Sequence, residues 1–174
     1  MEEANSIKLS IRIGKDIHAV LEAEAAAEGR EISEFVQRLL TQHATAGKWI
    51  DPVVAENLKS RQQIEDRLVE IAVARQIEIG VPTDNTDQVF AEGMKDAGWM
   101  ARYTAFVGGN PFAHNNRIKT DLNRLLGMRI CRAVGAEVAR NQKGKPIKRR
   151  ATSAIITTFT EMVPQPPKKG GGSK

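Results

Sequence analysis

The sequence has little cysteine, few aromatic residues and no long apolar run. Its single cysteine, Cys131, excludes a disulfide within the chain and a zinc site built from several cysteines. With 5 Phe, 2 Trp and 1 Tyr, the core must consist mainly of aliphatic side chains and methionine. No stretch approaches the roughly 20 apolar residues of a membrane helix, and the acidic start MEEANSIK is unlike a signal peptide. We therefore expect a cytoplasmic protein with no membrane partner.

The motifs of common enzyme chemistry are also missing. There is no phosphate-binding Walker loop, no dinucleotide fingerprint and no convincing pair of acids. His114 has no Cys, His or acid partner at a metal-ligand spacing, so it is better explained as a turn or cap residue. We predict no enzymatic activity, no catalytic residues, no metal and no cofactor.

The charge is distributed unevenly along the chain. Residues 1–80 hold 10 Lys/Arg against 14 Asp/Glu, whereas residues 81–174 hold 16 against 7. Within 114–150 there are 11 basic and 2 acidic residues. Such a block is typical of a polyanion-binding surface, with nucleic acid as the first candidate, although a solvated helix face explains it equally well.

A period of two marks residues 6–13, which read SIKLSIRI. Apolar side chains alternate with polar ones, and this alternation predicts a strand with one apolar and one polar face. Two amphipathic helices are predicted next, over 15–28 and 33–44, with Gly29 ending the first and Ser33 capping the second.

One strand and two short helices cannot bury a core alone, and a lone strand leaves its backbone groups unpaired. A symmetric partner would solve both problems, since two strands could pair and four helices could close around them. The predicted dimer core contains Ile7, Leu9, Ile11, Ile13, Phe35 and Leu39. A two-stranded ribbon fits the major groove of DNA, where its outward side chains could contact base edges. The predicted base contacts are Lys8, Ser10 and Arg12.

The order of SIKLSIRI, GKDI and EGREISEFVQRLL resembles the ribbon-helix-helix superfamily of Arc- and MetJ-type DNA-binding proteins over residues 6–44. The resemblance implies base contacts from the alternate polar strand residues. It also implies a phosphate held at the start of the second helix, which assigns Arg30 and Ser33 as phosphate contacts. Glu31 departs from this pattern because a carboxylate there repels a phosphate.

The remaining residues predict a mainly α-helical second region. Helices are expected over 53–79, 87–107 and 115–139, followed by a basic loop over 141–150 and a strand or helix over 154–163. The predicted phosphate contacts in this region are Lys143, Lys145, Lys148, Arg149 and Arg150. The fold class is therefore mainly α, with three segments: a dimeric ribbon-helix-helix domain (1–47), an α-helical region for oligomerisation or auxiliary DNA contact (48–163) and a disordered tail (164–174).

These features predict a homodimeric, sequence-specific protein that binds double-stranded DNA. A transcriptional repressor and an accessory factor of plasmid transfer or partition fit equally well, and higher oligomers would explain the long helical extension. One alternative is an antitoxin that binds a second protein through residues 48–163. Another is a structural nucleoprotein that binds nucleic acid through residues 114–150.

Overall fold

The computed structural model describes residues 10–164, in which six α-helices are followed by four short strands. The helices come first in the chain and the strands are confined to its C-terminal end. The helices are α1 (Lys15–Ala27), α2 (Ile32–Ala46), α3 (Pro52–Ile79), α4 (Asn85–Gly93), α5 (Ala97–Phe106) and α6 (Arg117–Ala133). The strands are β1 (Ala136–Val138), β2 (Lys148–Arg150), β3 (Thr158–Thr160) and β4 (Met162–Pro164).

The first two helices pack against each other across a short turn and form the N-terminal hairpin, and their predicted positions are confirmed to within a few residues. Gly29 makes the turn at a φ of +63°, a left-handed backbone conformation that glycine adopts without strain. A Cβ at this position would lie 2.8 Å from the Cα of Ala133 at the end of α6. Gly29 is therefore required both for the turn and for the close approach of the hairpin to α6. The cap of α2 is Glu31, not the predicted Ser33.

The long helix α3 packs against α4, α5 and α6 to form the helical body. Its core is mostly aliphatic around one aromatic group, in which Trp99 and Tyr103 stack with ring centroids 5.0 Å apart. Trp99 is fully buried, and its indole Nε1 donates to the carbonyl oxygen of Ile64 at 3.1 Å. Trp99 is thus a packing residue of the core. Trp49, by contrast, is 70% exposed.

The predicted single helix over 87–107 is two helices. Asp96 separates them, because its carboxylate accepts a hydrogen bond from the backbone N–H of Trp99 at 3.0 Å and caps α5. The predicted helix over 115–139 is also shorter in the structure. It ends at Ala133, and Gly135 then turns the chain at a φ of +56° into β1.

The four strands form two small antiparallel pairs, β1 with β4 and β2 with β3. Backbone hydrogen bonds among Ala139, Ile147 and Glu161 join the pairs, with each N···O distance at 2.9 Å. The C-terminal region is consequently a β-structured lobe packed beside α6, and the predicted α-helical region over 48–163 is wrong for this part of the chain. The strand alternative for 154–163 agrees with β3 and β4.

The predicted N-terminal strand is also wrong. Residues 10–14 form no strand, and all of the strands in the described part of the chain lie at its C-terminal end. The predicted positions 6–9 lie outside the described residues. The physical reason is the lack of a neighbour: no described segment of the chain supplies a strand to pair with residues 10–13. At the C-terminus, by contrast, tight turns bring four segments into register.

A buried ion cluster joins the N-terminal hairpin to the helical body. The side chains of Arg30, Glu65 and Arg129 are each 5–6% exposed. Arg129 Nε lies 2.9 Å from Glu65 Oε2, and Arg30 NH2 donates to Asp66 Oδ1 at 2.8 Å. Arg30 Nε also donates to Glu28 at 2.8 Å. The cluster thus holds two guanidinium groups beside one buried carboxylate.

Candidate nucleic-acid interface

The segment 140–150, which we call the basic hairpin, projects from the C-terminal lobe. Its tip is organised by Asn141, whose side-chain oxygen accepts from the backbone N–H groups of Lys143 and Lys145 at 2.9 and 3.0 Å. Gly144 closes the turn at a φ of +73°, and its carbonyl oxygen accepts from Arg140 NH1 at 2.8 Å. These bonds fix the backbone of the tip and leave its lysine side chains pointing into solvent.

Five cationic side chains are exposed along this hairpin, and they are the ones predicted to contact phosphate: Lys143, Lys145, Lys148, Arg149 and Arg150. Arg149 Nε donates to Glu161 Oε1 at 2.6 Å, which neutralises part of its charge. Within residues 10–164, none of the other four forms an ion pair with a carboxylate. The hairpin therefore presents a concentrated positive charge, whereas about half of the cations of the helical body are paired with carboxylates.

Asp87, on α4, anchors the loop that follows β2. Its carboxylate accepts hydrogen bonds from the backbone N–H and the hydroxyl of Thr152 at 2.8 and 2.6 Å, and from the N–H of Ser153 at 2.9 Å. Burial alone would raise the pKa of Asp87, but these hydrogen bonds outweigh it and hold the pKa below its ordinary value of 3.8. An ionised Asp87 thus ties the basic lobe to the helical body.

A cleft of about 580 Å³ lies between α6 and the β2–β3 pair. Lys119 and Arg124 line it from α6, and Lys148 lines it from β2. Asparagine and threonine side chains account for most of its other polar lining, and no carboxylate contributes to it. Asn123 fixes one wall, since it accepts from the hydroxyl of Tyr103 at 2.7 Å and donates to the carbonyl of Ile155 at 3.2 Å.

Lys119 is the least exposed cation of this cleft. Its amine donates to the carbonyl oxygen of Ala113 at 3.2 Å, and it forms no ion pair among the described residues. Burial lowers the pKa of Lys119 below its ordinary value of 10.5. A cation held in this way would be stabilised by an anionic ligand.

The predicted base contacts are only partly described. Ser10 and Arg12 are exposed and lie in irregular backbone before α1, while Lys8 lies outside the described residues. They do not lie beside the basic hairpin in sequence, and no described contact brings the two regions together. Their predicted role therefore receives no geometric support within one chain.

Two predicted phosphate contacts lie near the start of α2, Arg30 in the turn before it and Ser33 in its first helical turn. Arg30 belongs to the buried ion cluster, where three carboxylates surround it, so its guanidinium is not presented to a ligand. Ser33 is exposed, but carboxylates crowd the same helix end. Arg132 on α6 contacts Glu31 and Glu34 there, at 2.6 and 3.1 Å. This end of α2 is engaged by the protein itself.

The predicted dimer-core residues divide into two groups. Phe35 is buried within the chain, with 3% of its surface exposed. Ile11, Ile13 and Leu39 are 59%, 43% and 40% exposed, and Ile7 and Leu9 lie outside the described residues. Further large apolar side chains of α1 and α2 are also uncovered: Ile17, Val20 and Leu40. The N-terminal hairpin of α1 and α2 thus exposes an apolar surface that its own chain does not cover.

The described residues offer little support for a metal site, a reactive thiol or a membrane-spanning helix. Residues 10–164 contain no group of three or more His, Cys, Asp or Glu side chains placed to hold a metal ion. Cys131 is buried, and burial raises the pKa of its thiol. None of the helices in this part of the chain combines the length and apolar character needed to cross a membrane.

Sequence reasoning missed the cleft. It treated the residues near Lys119 and Arg124 as one basic helix face and did not associate them with Thr157 and Thr158 on the lobe. A signal was present, because Gly135 and Gly144 are turn residues that flank a short alternating segment. Reading that segment as a hairpin would have placed a sheet beside the basic helix.

Comparison with known proteins finds no family model that matches the chain, and no curated protein or solved structure similar to it.

Proposed function

We propose that this protein binds double-stranded DNA, with the basic hairpin supplying phosphate contacts. The single observation that carries the proposal is the set of four exposed cations in the hairpin without a carboxylate partner: Lys143, Lys145, Lys148 and Arg150. Phosphate contacts by Lys and Arg release counterions from the duplex, and this release supplies most of the non-specific affinity of DNA-binding proteins.

The shape of the hairpin supports the same proposal. Its end, residues 139–147, folds back on itself in antiparallel fashion, with Arg140 bridged to Pro146, and two-stranded elements of that width enter the major groove of B-DNA. Backbone order at the tip reduces the entropy lost on binding, because Asn141 already holds the N–H groups of Lys143 and Lys145. The side chains then need only adjust to the phosphate positions.

Self-association is the second part of the proposal. The uncovered apolar side chains of α1 and α2 would be shielded by the same surface of a second copy. Burying one such side chain contributes about 1.5–3 kcal/mol. We expect Val20→Glu to shift the protein toward the monomer in sedimentation-velocity measurements, while Glu22→Gln, an exposed change on a different face of α1, leaves association unaltered.

We propose that Arg12 gives the protein its preference for particular DNA sequences, since an exposed arginine can donate two hydrogen bonds to guanine. A repressor and a plasmid-transfer or partition factor both need such preference, whereas a structural nucleoprotein does not. Selecting bound duplexes from a random pool, with the wild type and with Arg12→Ala, distinguishes these roles. Lys15→Ala is the control, because Lys15 is an exposed cation close to Arg12 in sequence.

The direct test of DNA binding uses a labelled duplex and fluorescence anisotropy. A triple variant (Lys143→Gln, Lys145→Gln, Arg150→Gln) removes three charges from the hairpin. The matched control removes three exposed charges elsewhere (Lys48→Gln, Lys59→Gln, Lys95→Gln). We expect the hairpin variant to bind at least tenfold more weakly and the control to bind within about twofold of the wild type. Equal losses in the two variants would reject the proposed interface.

A further inference from the structure

The cleft between α6 and the β2–β3 pair has the charge and shape of a ligand site. We propose that it binds a single nucleotide, either a free nucleotide or one unpaired nucleotide of a nucleic-acid strand. This inference goes beyond duplex binding, because the cleft is formed between α6 and the lobe and does not need the tip of the basic hairpin. Its volume of about 580 Å³ falls within the usual range of small-ligand sites.

The net positive charge of the cleft favours an anionic ligand. Lys119 and Arg124 stand on one wall and Lys148 on the other, and the lining contains no carboxylate. The amine of Lys119 is bonded only to a carbonyl oxygen, at 3.2 Å, in a partly buried position. A phosphate between the two walls would complete the coordination of that amine and offset its loss of hydration.

The remaining lining fits the other half of a nucleotide. Apolar side chains form part of the cleft, and Met128, which is 41% exposed, offers a surface for the flat face of a base or for a sugar. Thr157 and Thr158 are exposed at its rim, where their hydroxyls can donate to or accept from base edges. A simple inorganic anion would use the cations but leave this surface uncovered.

The test is an NMR titration of the full-length protein labelled with ¹⁵N. Four probes are compared: deoxyadenosine monophosphate, deoxyadenosine, inorganic phosphate and a single-stranded tetranucleotide. We expect deoxyadenosine monophosphate to shift the amides that line the cleft, with saturation below about 1 mM. Deoxyadenosine and inorganic phosphate should each bind at least tenfold more weakly. Tighter binding of the tetranucleotide per site would identify the strand as the source, and tighter binding of the mononucleotide would identify the free ligand.

Two variants keep the result interpretable. Lys119→Met should weaken nucleotide binding at least tenfold, and Lys59→Met, an exposed lysine on α3, should not change it. Lys119 also donates a hydrogen bond to the Ala113 carbonyl, so its replacement removes a structural contact as well as a charge. Arg124→Gln is therefore the second variant. Arg124 is exposed and lies in the lining, so its loss should weaken binding without affecting the fold.

The inference is overturned if the shifts fall on the tip of the basic hairpin (141–145) and not on the cleft, or if Arg124→Gln binds as the wild type does. Equal affinity for inorganic phosphate and the nucleotide would also overturn it. Its failure can be distinguished from failure of duplex binding, because the triple hairpin variant retains Lys119, Arg124 and Lys148. That variant should lose duplex affinity and keep nucleotide affinity.

Discussion

Replacing Glu65 by glutamine is expected to lower the free energy of unfolding by about 3–5 kcal/mol, the usual effect of removing one partner from a buried ion pair. The Glu65 side chain is 5% exposed and lies 2.9 Å from Arg129 Nε and 3.5 Å from Arg30 NH1. Once its charge is removed, two buried guanidinium groups are left beside each other without the carboxylate that separates them.

The geometry around Arg129 explains why Glu65→Gln should lower the free energy of unfolding so strongly. Arg129 NH1 is buried and has no hydrogen-bond partner within residues 10–164, and the contact of its Nε with Glu65 is close in distance but poorly aligned. Burial lowers the pKa of Arg129, against the opposing influence of Glu65. The charge of Glu65, more than any single hydrogen bond, therefore stabilises the buried positive charge of Arg129.

Urea unfolding followed by circular dichroism measures the effect, with the slope used to check that the transition remains comparable. Asp66→Asn is the matched control, because Asp66 is adjacent in sequence and bonds the same Arg30, yet its side chain is 39% exposed. The control should lose no more than about 1 kcal/mol. If Glu65→Gln cost no more than Asp66→Asn, the reasoning about buried charge would be refuted.

Three further predictions concern packing, acid stability and the aromatic core. Gly29→Ala should destabilise by at least about 1–2 kcal/mol in urea unfolding, since alanine is strained at a left-handed φ and its Cβ would meet the backbone of Ala133; unchanged stability would contradict the close approach. The folded pKa of Asp87 lies below its ordinary value of 3.8, so its contribution to stability is complete above that value and is lost as the pH falls toward the folded pKa. Asp87→Asn should therefore be less stable than the wild type at pH 7, with the difference shrinking as the pH falls below about 4, and a constant difference would count against the anchor. Trp99→Phe should cost about 2 kcal/mol or more in thermal unfolding, because it leaves a cavity in the core and removes the indole hydrogen bond to the Ile64 carbonyl oxygen; a cost well under 1 kcal/mol would mean that the indole contributes little to the core.

The helices were predictable because their signals are local. Apolar spacing defined α1, α2 and α3, and the capping residues Asp51 and Asn116 are of the types that begin helices. The break between α4 and α5 was missed although Asp96 stands three residues before Trp99, which is an N-cap spacing. Apolar residues continue at helical spacing on both sides of Asp96, so the periodicity predicted one uninterrupted helix.

The strands were harder to predict because pairing depends on a partner that periodicity does not reveal. Residues 6–13 alternate more regularly than any C-terminal segment, yet their described part forms no strand. β2 reads Lys-Arg-Arg and carries no apolar alternation at all, but it pairs with β3 because turns bring the two into register.

The charged residues show the same limit. Arg30 looked like a surface cation suited to a phosphate, because its neighbours in sequence are polar. Its burial is decided by Glu65 and Asp66, which are 35 and 36 residues away in the chain. The hairpin cations were predicted as a basic loop, and their exposure agrees with that prediction, but the ordered tip was not foreseen.

The salt dependence of duplex affinity tests the central claim most directly. Each phosphate contact contributes about −0.9 to the slope of log K against log salt concentration. The account predicts that the variant with Lys143, Lys145 and Arg150 replaced by glutamine has a slope shallower than that of the wild type by about 2–3, and that the control triple variant does not. Parallel lines for the hairpin variant and the wild type would contradict the assignment of the basic hairpin as the DNA-contacting surface.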